Sequence, residues 1–194
     1  MLAEADRINS KKELKEWIEY ESKNFPMRRG IRNLFPVSEY DVLRKHQIVL
    51  RKTEFYSNTG NKVFTFLYKL RLYRIQNKYA IHIPINTCGK GLKIMHLGSI
   101  LINEKARVGK DCAFHINTAL VAGGTTNDAP CLDDGVVCGV GAVVLGGVHI
   151  AKNIAIGANA VVNKSFEEND IAIAGIPAQK ISNNGRAYWN RKLD

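Results

Sequence analysis

The 194-residue chain has only four cysteines, Cys88, Cys112, Cys131 and Cys138, and no two of them form a CxxC pair. Its first residues, MLAEADRINSKKELKEW, are charged and lack the apolar stretch of a secretory leader. A reduced, cytoplasmic setting without structural disulfides is therefore expected. No run approaches the roughly 18 to 20 apolar residues that a membrane span needs, so any membrane contact is expected to be peripheral. No phosphate loop and no recognition motif accompanies the basic residues, which argues against nucleic acid as a partner.

What the chain does have is a net charge of +10, unevenly placed. Residues 1–80 carry 17 Lys/Arg against 9 Asp/Glu, residues 81–181 carry 8 against 8, and the remainder carries 3 against 1. The excess lies in the N-terminal region and the tail. It is either a solvated basic helical surface or an attraction for an anionic partner, a membrane surface or an acidic glycan.

Three helices are predicted before residue 80. Ser10 and Glu13 have capping-box spacing ahead of Leu14, Trp17 and Ile18, giving a helix over 10–22. Phe25, Pro26 and Gly30 mark a connection. Ser38 and Asp41 repeat the start signal before Val42, Ile48, Val49, Leu50 and Phe55, with a stop at Asn58 to Gly60. Val63, Phe64, Leu67, Leu70 and Ile75 then recur at helical intervals over 62–78. His46 has no partner histidine at ligand spacing and is expected at the surface or the core edge.

Beyond residue 80 the period becomes six. Leu132, Cys138, Val144, Ile150, Ile156 and Val162 are six apart, and Val136, Ala142, Val148, Ile154 and Ala160 follow four positions behind each of the first five. The same phase runs earlier through Ile102, Val108, Phe114 and Leu120, with Ala106, Cys112 and Thr118. Neither a helix nor a two-faced sheet has this period, whereas a solenoid of short strands does. Cys112 and Cys138 fall on inward positions, Cys88 is similar, and Cys131 lies at a loop edge. His82 and His149 are expected to face solvent.

Two segments break the repeat. Between Ile94 and Ile102 there are two extra residues around His96, enough to turn that side chain outward. VAGGTTNDAP, residues 121–130, is rich in turn formers and reads as a loop leaving the scaffold.

The residues IGANAVVNK at 156–164 resemble the hexapeptide-repeat acyltransferases. GKGLKIMHLGSILI at 89–102 and AGIPAQKI at 174–181 resemble the serine acetyltransferase branch of that family. The resemblance covers about residues 80–181. It implies a mainly β fold, a left-handed parallel β-helix over 80–181 preceded by a helical region over 1–79 and followed by a tail over 182–194. It also implies acetyl-CoA as co-substrate and a homotrimer with active sites between neighbouring subunits.

By position His96 matches the family's catalytic histidine. Imidazole suits removal of a hydroxyl proton during attack on a thioester. His115, one coil later, is a second candidate for acceptor binding or proton transfer. Gly123 and Gly124 match a Gly-Gly pair whose N–H groups would stabilise the tetrahedral oxyanion. For CoA the resemblance points to Gly139, Gly141 and Ala142, to Gly175, Ile176, Pro177 and Ala178, and to Lys164 and Lys180 as phosphate contacts. No metal is expected, because only His96 and His115 are well placed for one.

The family pattern is interrupted at two positions. Ile81 stands where an acidic residue pairs with the catalytic histidine, and Ala129 stands where a second histidine precedes the proline of the loop. The acid's role falls to Asp128 or Glu104. The tail ends Lys192, Leu193, Asp194, without the isoleucine ending through which the family binds cysteine synthase. Free serine needs fixed complementary charges, so the sequence ranks a sugar hydroxyl of a surface-polysaccharide pathway first, serine in cysteine biosynthesis second, and a non-catalytic scaffold third.

Overall fold

In the computed structural model residues 2–25, 38–124 and 127–187 are described. The connection at Pro26 and Gly30 and the final residues Lys192 to Asp194 lie outside them, as do Thr125 and Thr126 in the second break.

Each helix starts where its cap sits. Helix α1 (Lys11–Ser22) is opened by a reciprocal pair in which the Glu13 N–H donates to Ser10 Oγ at 3.1 Å and the Ser10 N–H to Glu13 Oε2 at 2.9 Å. Helix α2 (Glu39–Asn58) repeats the device, with Asp41 Oδ2 accepting from the Ser38 N–H. Helix α3 (Lys62–Tyr79) is capped by Asn61, whose side-chain oxygen accepts from the Phe64 N–H, and ends at Ala80 in the left-handed region.

Among the described residues fourteen short strands follow: β1 (Ile81–His82), β2 (Lys93–Ile94), β3 (Ile100–Ile102), β4 (Arg107–Val108), β5 (Ala113–Phe114), β6 (Thr118–Val121), β7 (Cys131–Leu132), β8 (Val137–Cys138), β9 (Val143–Leu145), β10 (His149–Ile150), β11 (Ala155–Ile156), β12 (Val161–Val162), β13 (Ala172–Ala174) and β14 (Gln179–Ser182). They stack into three faces of a left-handed β-helical prism. One face runs β1-β3-β6-β9-β12, a second β4-β7-β10, and a third β2-β5-β8-β11-β13. Every pairing is parallel except the last, where β14 folds back antiparallel on β13 and closes the end.

The six-residue phase is the core. From Ile102 to Val162 the inward residues are buried, as are the small residues between them, with Thr118 the one polar member. The corners require left-handed backbone, which short Asx side chains and glycine supply: Asp111, Asn153 and Asp170 have φ near +60°, in register with Gly91 and Gly135. At Gly91 and Gly135 the left-handed backbone strains any other residue, and a Cβ would lie 2.0 and 2.1 Å from Asp111 Oδ1 and Asn153 Oδ1, displacing the corner side chain of the next coil.

A buried ionic knot ties the helices to the prism. Arg51 of α2 has no exposed side chain; it donates to Glu21 of α1 at 2.7 Å, to Glu54 at 2.9 Å, and to the carbonyls of Cys88 and Gly89. Glu21 also accepts from the Gly91 N–H, and Glu54 from the Asn86 N–H. The Trp17 ring lies 4.8 Å from the guanidinium. His46 departs from the sequence expectation: it is fully buried, because α2 lays that face against the first coil. Burial, with the Arg51 charge, pushes its pKa down to about 4, so the ring is neutral.

Candidate active site

The prism edge between the third and first faces carries the first break. Strand β2 ends at Ile94, β3 begins at Ile100, and the intervening turn projects His96 outward. Gly98 sits on Ile116 of the next coil so closely that a Cβ would lie 2.8 Å from its Cγ2, which keeps this longer turn on the scaffold.

The carboxylate that holds His96 comes from neither residue named by the sequence. Glu39, the first residue of α2, places Oε1 at 3.1 Å from His96 Nδ1 while its Oε2 accepts from the Leu97 N–H at 3.2 Å. One carboxylate thus grips both the ring and the backbone of the turn. The Leu97 N–H and then the His96 ring hold the Glu39 pKa below its ordinary value, and a helix N-terminus favours negative charge there as well. Asp128 lies instead against Gly147, where a Cβ would meet it at 2.7 Å, and Glu104 is exposed at another turn. Ile81, at the family's acid position, is wholly buried and paired with Ile100 in the first face. The available signal for Glu39 was its place just after the Ser38 cap, at the N-terminus of a helix long enough to reach the first coil.

His115 follows β5 on the same edge, one coil beyond, with its ring centroid 6.0 Å from that of His96. Burial first, then the charges of His96 and Lys93, push its pKa down and favour the neutral ring. With Glu39 accepting from Nδ1–H, the Nε2 lone pair of His96 is left to take a proton.

The edge continues through Gly139, Gly141 and Gly175. Gly139 is stacked on Ala158, where a Cβ would lie 2.9 Å from its nitrogen, and Gly141 has φ +71°. Ala142 and Ala178 are fully buried, backbone included, whereas Ile176 is exposed beside Pro177. Lys164 donates to Gln179 at 2.8 Å and Lys180 to Glu168 at 2.6 Å. Both ammonium groups sit on the last coils.

The second break is elsewhere. Gly123, Gly124 and Asp128 follow β6 on the edge between the first and second faces, across the breadth of the first face from His96. One chain does not bring the loop glycines to His96. His82 is exposed as expected, and His149, also expected to face solvent, is part-exposed and lies 2.6 Å from Glu167 and 3.2 Å from Asp133. Burial pushes the Cys88 and Cys138 thiols up to about 12 and raises those of Cys112 and Cys131, so no cysteine is a ready nucleophile.

No protein-family model matches the chain. It is 30% identical over 145 residues to a serine acetyltransferase of Buchnera aphidicola, covering 70% of this chain and 50% of that one. It is 36% identical over 118 residues to a serine acetyltransferase of Synechococcus elongatus, covering 59% and 47%. The chain spans about half the length of the curated relatives it matches. Among solved structures, Neisseria gonorrhoeae serine acetyltransferase in complex with serine aligns with TM-score 0.65 at 21% identity, over 89% of this chain and 71% of that one. The Brucella abortus enzyme in complex with coenzyme A aligns with TM-score 0.60 at 23% identity, over 89% and 67%.

Proposed function

Starting from a hexapeptide-repeat β-helix of the serine O-acetyltransferase-like branch, we propose that the chain transfers the acetyl group of acetyl-CoA to the hydroxyl of serine. The observation that carries the reaction is the Glu39–His96 pair beside His115. Glu39 fixes the Nδ1–H form of His96, and Nε2 removes the hydroxyl proton as the oxygen attacks the thioester carbonyl. The resulting imidazolium is stabilised by Glu39 and returns its proton to the departing CoA sulfur. Transfer is direct, consistent with the protonated state of the buried cysteines.

Serine replaces the sugar that the sequence ranked first. The relatives that bear on the acceptor are serine acetyltransferases, and Glu39 supplies the carboxylate whose apparent loss at Ile81 counted against serine. Ala129 remains a departure.

The site is completed by a second copy. His96 and the loop of Gly123 and Gly124 occupy different edges of one prism, so a homotrimer, in which one subunit's edge meets the next subunit's loop, supplies the oxyanion donors and the CoA groove. Acetyl-CoA then lies along Gly139, Gly141 and Gly175 toward Lys164 and Lys180.

The deciding experiment measures CoA release from acetyl-CoA with L-serine and then with sugars, nucleotide sugars and glycan fragments. Saturable turnover with serine is expected. Turnover with sugars alone would reject serine, and no turnover with either would reject the enzyme. Light scattering should give three times the 21.6 kDa chain mass; an active monomer would reject the shared site.

A further inference from the structure

Helix α3 has two apolar stripes on opposite sides. Tyr68, Leu72, Ile75 and Tyr79, spaced i, i+4, i+7 and i+11, pack against the core. Val63, Phe66, Leu70 and Tyr73, spaced i, i+3, i+7 and i+10, point the other way, and all four are exposed, Phe66 at 62% and Tyr73 at 65%. Leu67 widens the outer stripe. A shallow groove between this face and Pro84–Ile85 continues the apolar surface onto the first coil.

Cations border the outer stripe along its length. On a helix of 3.6 residues per turn, Lys62 and Lys69 fall on one flank and Arg71 and Lys78 on the other, with Arg74 between Arg71 and Val63. The segment KVFTFLYKLRLYRIQNKY contains five basic residues and no acidic one. No helix among the described residues is long and apolar enough to cross a membrane.

We infer that α3 is an interfacial helix that lays its outer face on an anionic lipid surface. Aromatic and leucine side chains at the centre of the face enter the headgroup and acyl boundary, while the lysines and arginines on both flanks reach the phosphates. The charge decides among occupants. A second copy pairing α3 with α3 would oppose five cations with five cations and no carboxylate, and an acidic glycan would leave Phe66, Leu70 and Tyr73 in water. The inference is independent of the acetyl-transfer reading, since binding is measured without turnover.

The test is sedimentation of the full chain with vesicles of phosphatidylcholine alone and of phosphatidylcholine with one third phosphatidylglycerol. Preference for the anionic vesicles by about a hundredfold or more is expected from five basic groups at the surface, and it should weaken steeply with added salt. The double variant Phe66→Ser, Tyr73→Ser and the charge variant Lys69→Glu, Arg74→Glu should each lose at least about tenfold in binding, with unchanged circular dichroism because the sites are exposed. Equal binding to neutral vesicles, or none to either, would overturn the inference. So would a change in oligomeric mass on Phe66→Ser, Tyr73→Ser without vesicle binding by the parent chain, which would mark the face as a contact between copies.

Discussion

Glu39 reaches His96 across 57 positions of sequence, with Oε1 at 3.1 Å from Nδ1 and Oε2 on the neighbouring Leu97 N–H. The helical region therefore supplies one side chain of the proposed site. Replacing Glu39 by Gln keeps a hydrogen-bonding side chain but removes the charge that stabilises the imidazolium. We expect kcat to fall by about ten- to a thousandfold, within the range for losing part of a general-base device, with KM for acetyl-CoA unchanged. An unaltered kcat would show that the contact only fastens the turn.

His96→Ala removes the proposed base. The rate should fall by on the order of a hundredfold or more, while acetyl-CoA binding, measured calorimetrically, survives. His115→Ala should act through the acceptor, raising its KM with a smaller change in kcat, because its depressed pKa keeps the ring neutral. Equal losses from both variants would require a shared proton pathway.

Much of this was legible in the chain, and the reason is periodicity. A solenoid repeats one local arrangement, so each inward residue from Ile102 to Leu120 and from Leu132 to Val162 announces itself six positions after the last, and both capping boxes are local signals. Glu39 was hidden because its partner is set by how α2 docks on the first coil, which no local pattern records. His46 was misplaced for the same reason: a lone histidine in a helix gives no indication of which face the prism will cover. The antiparallel return of β14 also lies outside the repeat.

Arg51 should be the most sensitive position outside the site. Arg51→Met leaves Glu21 and Glu54 buried without their cation, a loss of about 3 to 5 kcal/mol on the scale of broken buried ion pairs. Thermal unfolding should show a fall on the order of 10 °C. Arg51→Lys keeps charge but cannot reach two carboxylates and two carbonyls together, so it should recover only part of the loss. A variant as stable as the parent would deny the knot its anchoring role.

His46 makes stability depend on pH. Its folded-state pKa, about 4, lies below the ordinary 6.5, so the unfolded chain takes up the proton first. Its contribution is present above the ordinary value and is lost as pH falls from about 6.5 toward 4, reaching about 3 kcal/mol in full. His46→Leu should flatten the dependence of Tm on pH in that window. A parent-like slope in the variant would assign the effect to other groups.

The left-handed corners set by Asp111, Gly135, Asn153 and Asp170 hold successive coils in register. A single residue added inside a coil would turn its inward side chains to solvent, so the scaffold tolerates changes of length only where the chain already leaves the prism, at the turn around His96 and at the loop after Val121. Those two places can lengthen, shorten or change composition while the hexads behind them stay fixed. Variation is thereby channelled to the two segments of the proposed site, which can diverge without a compensating change in the core.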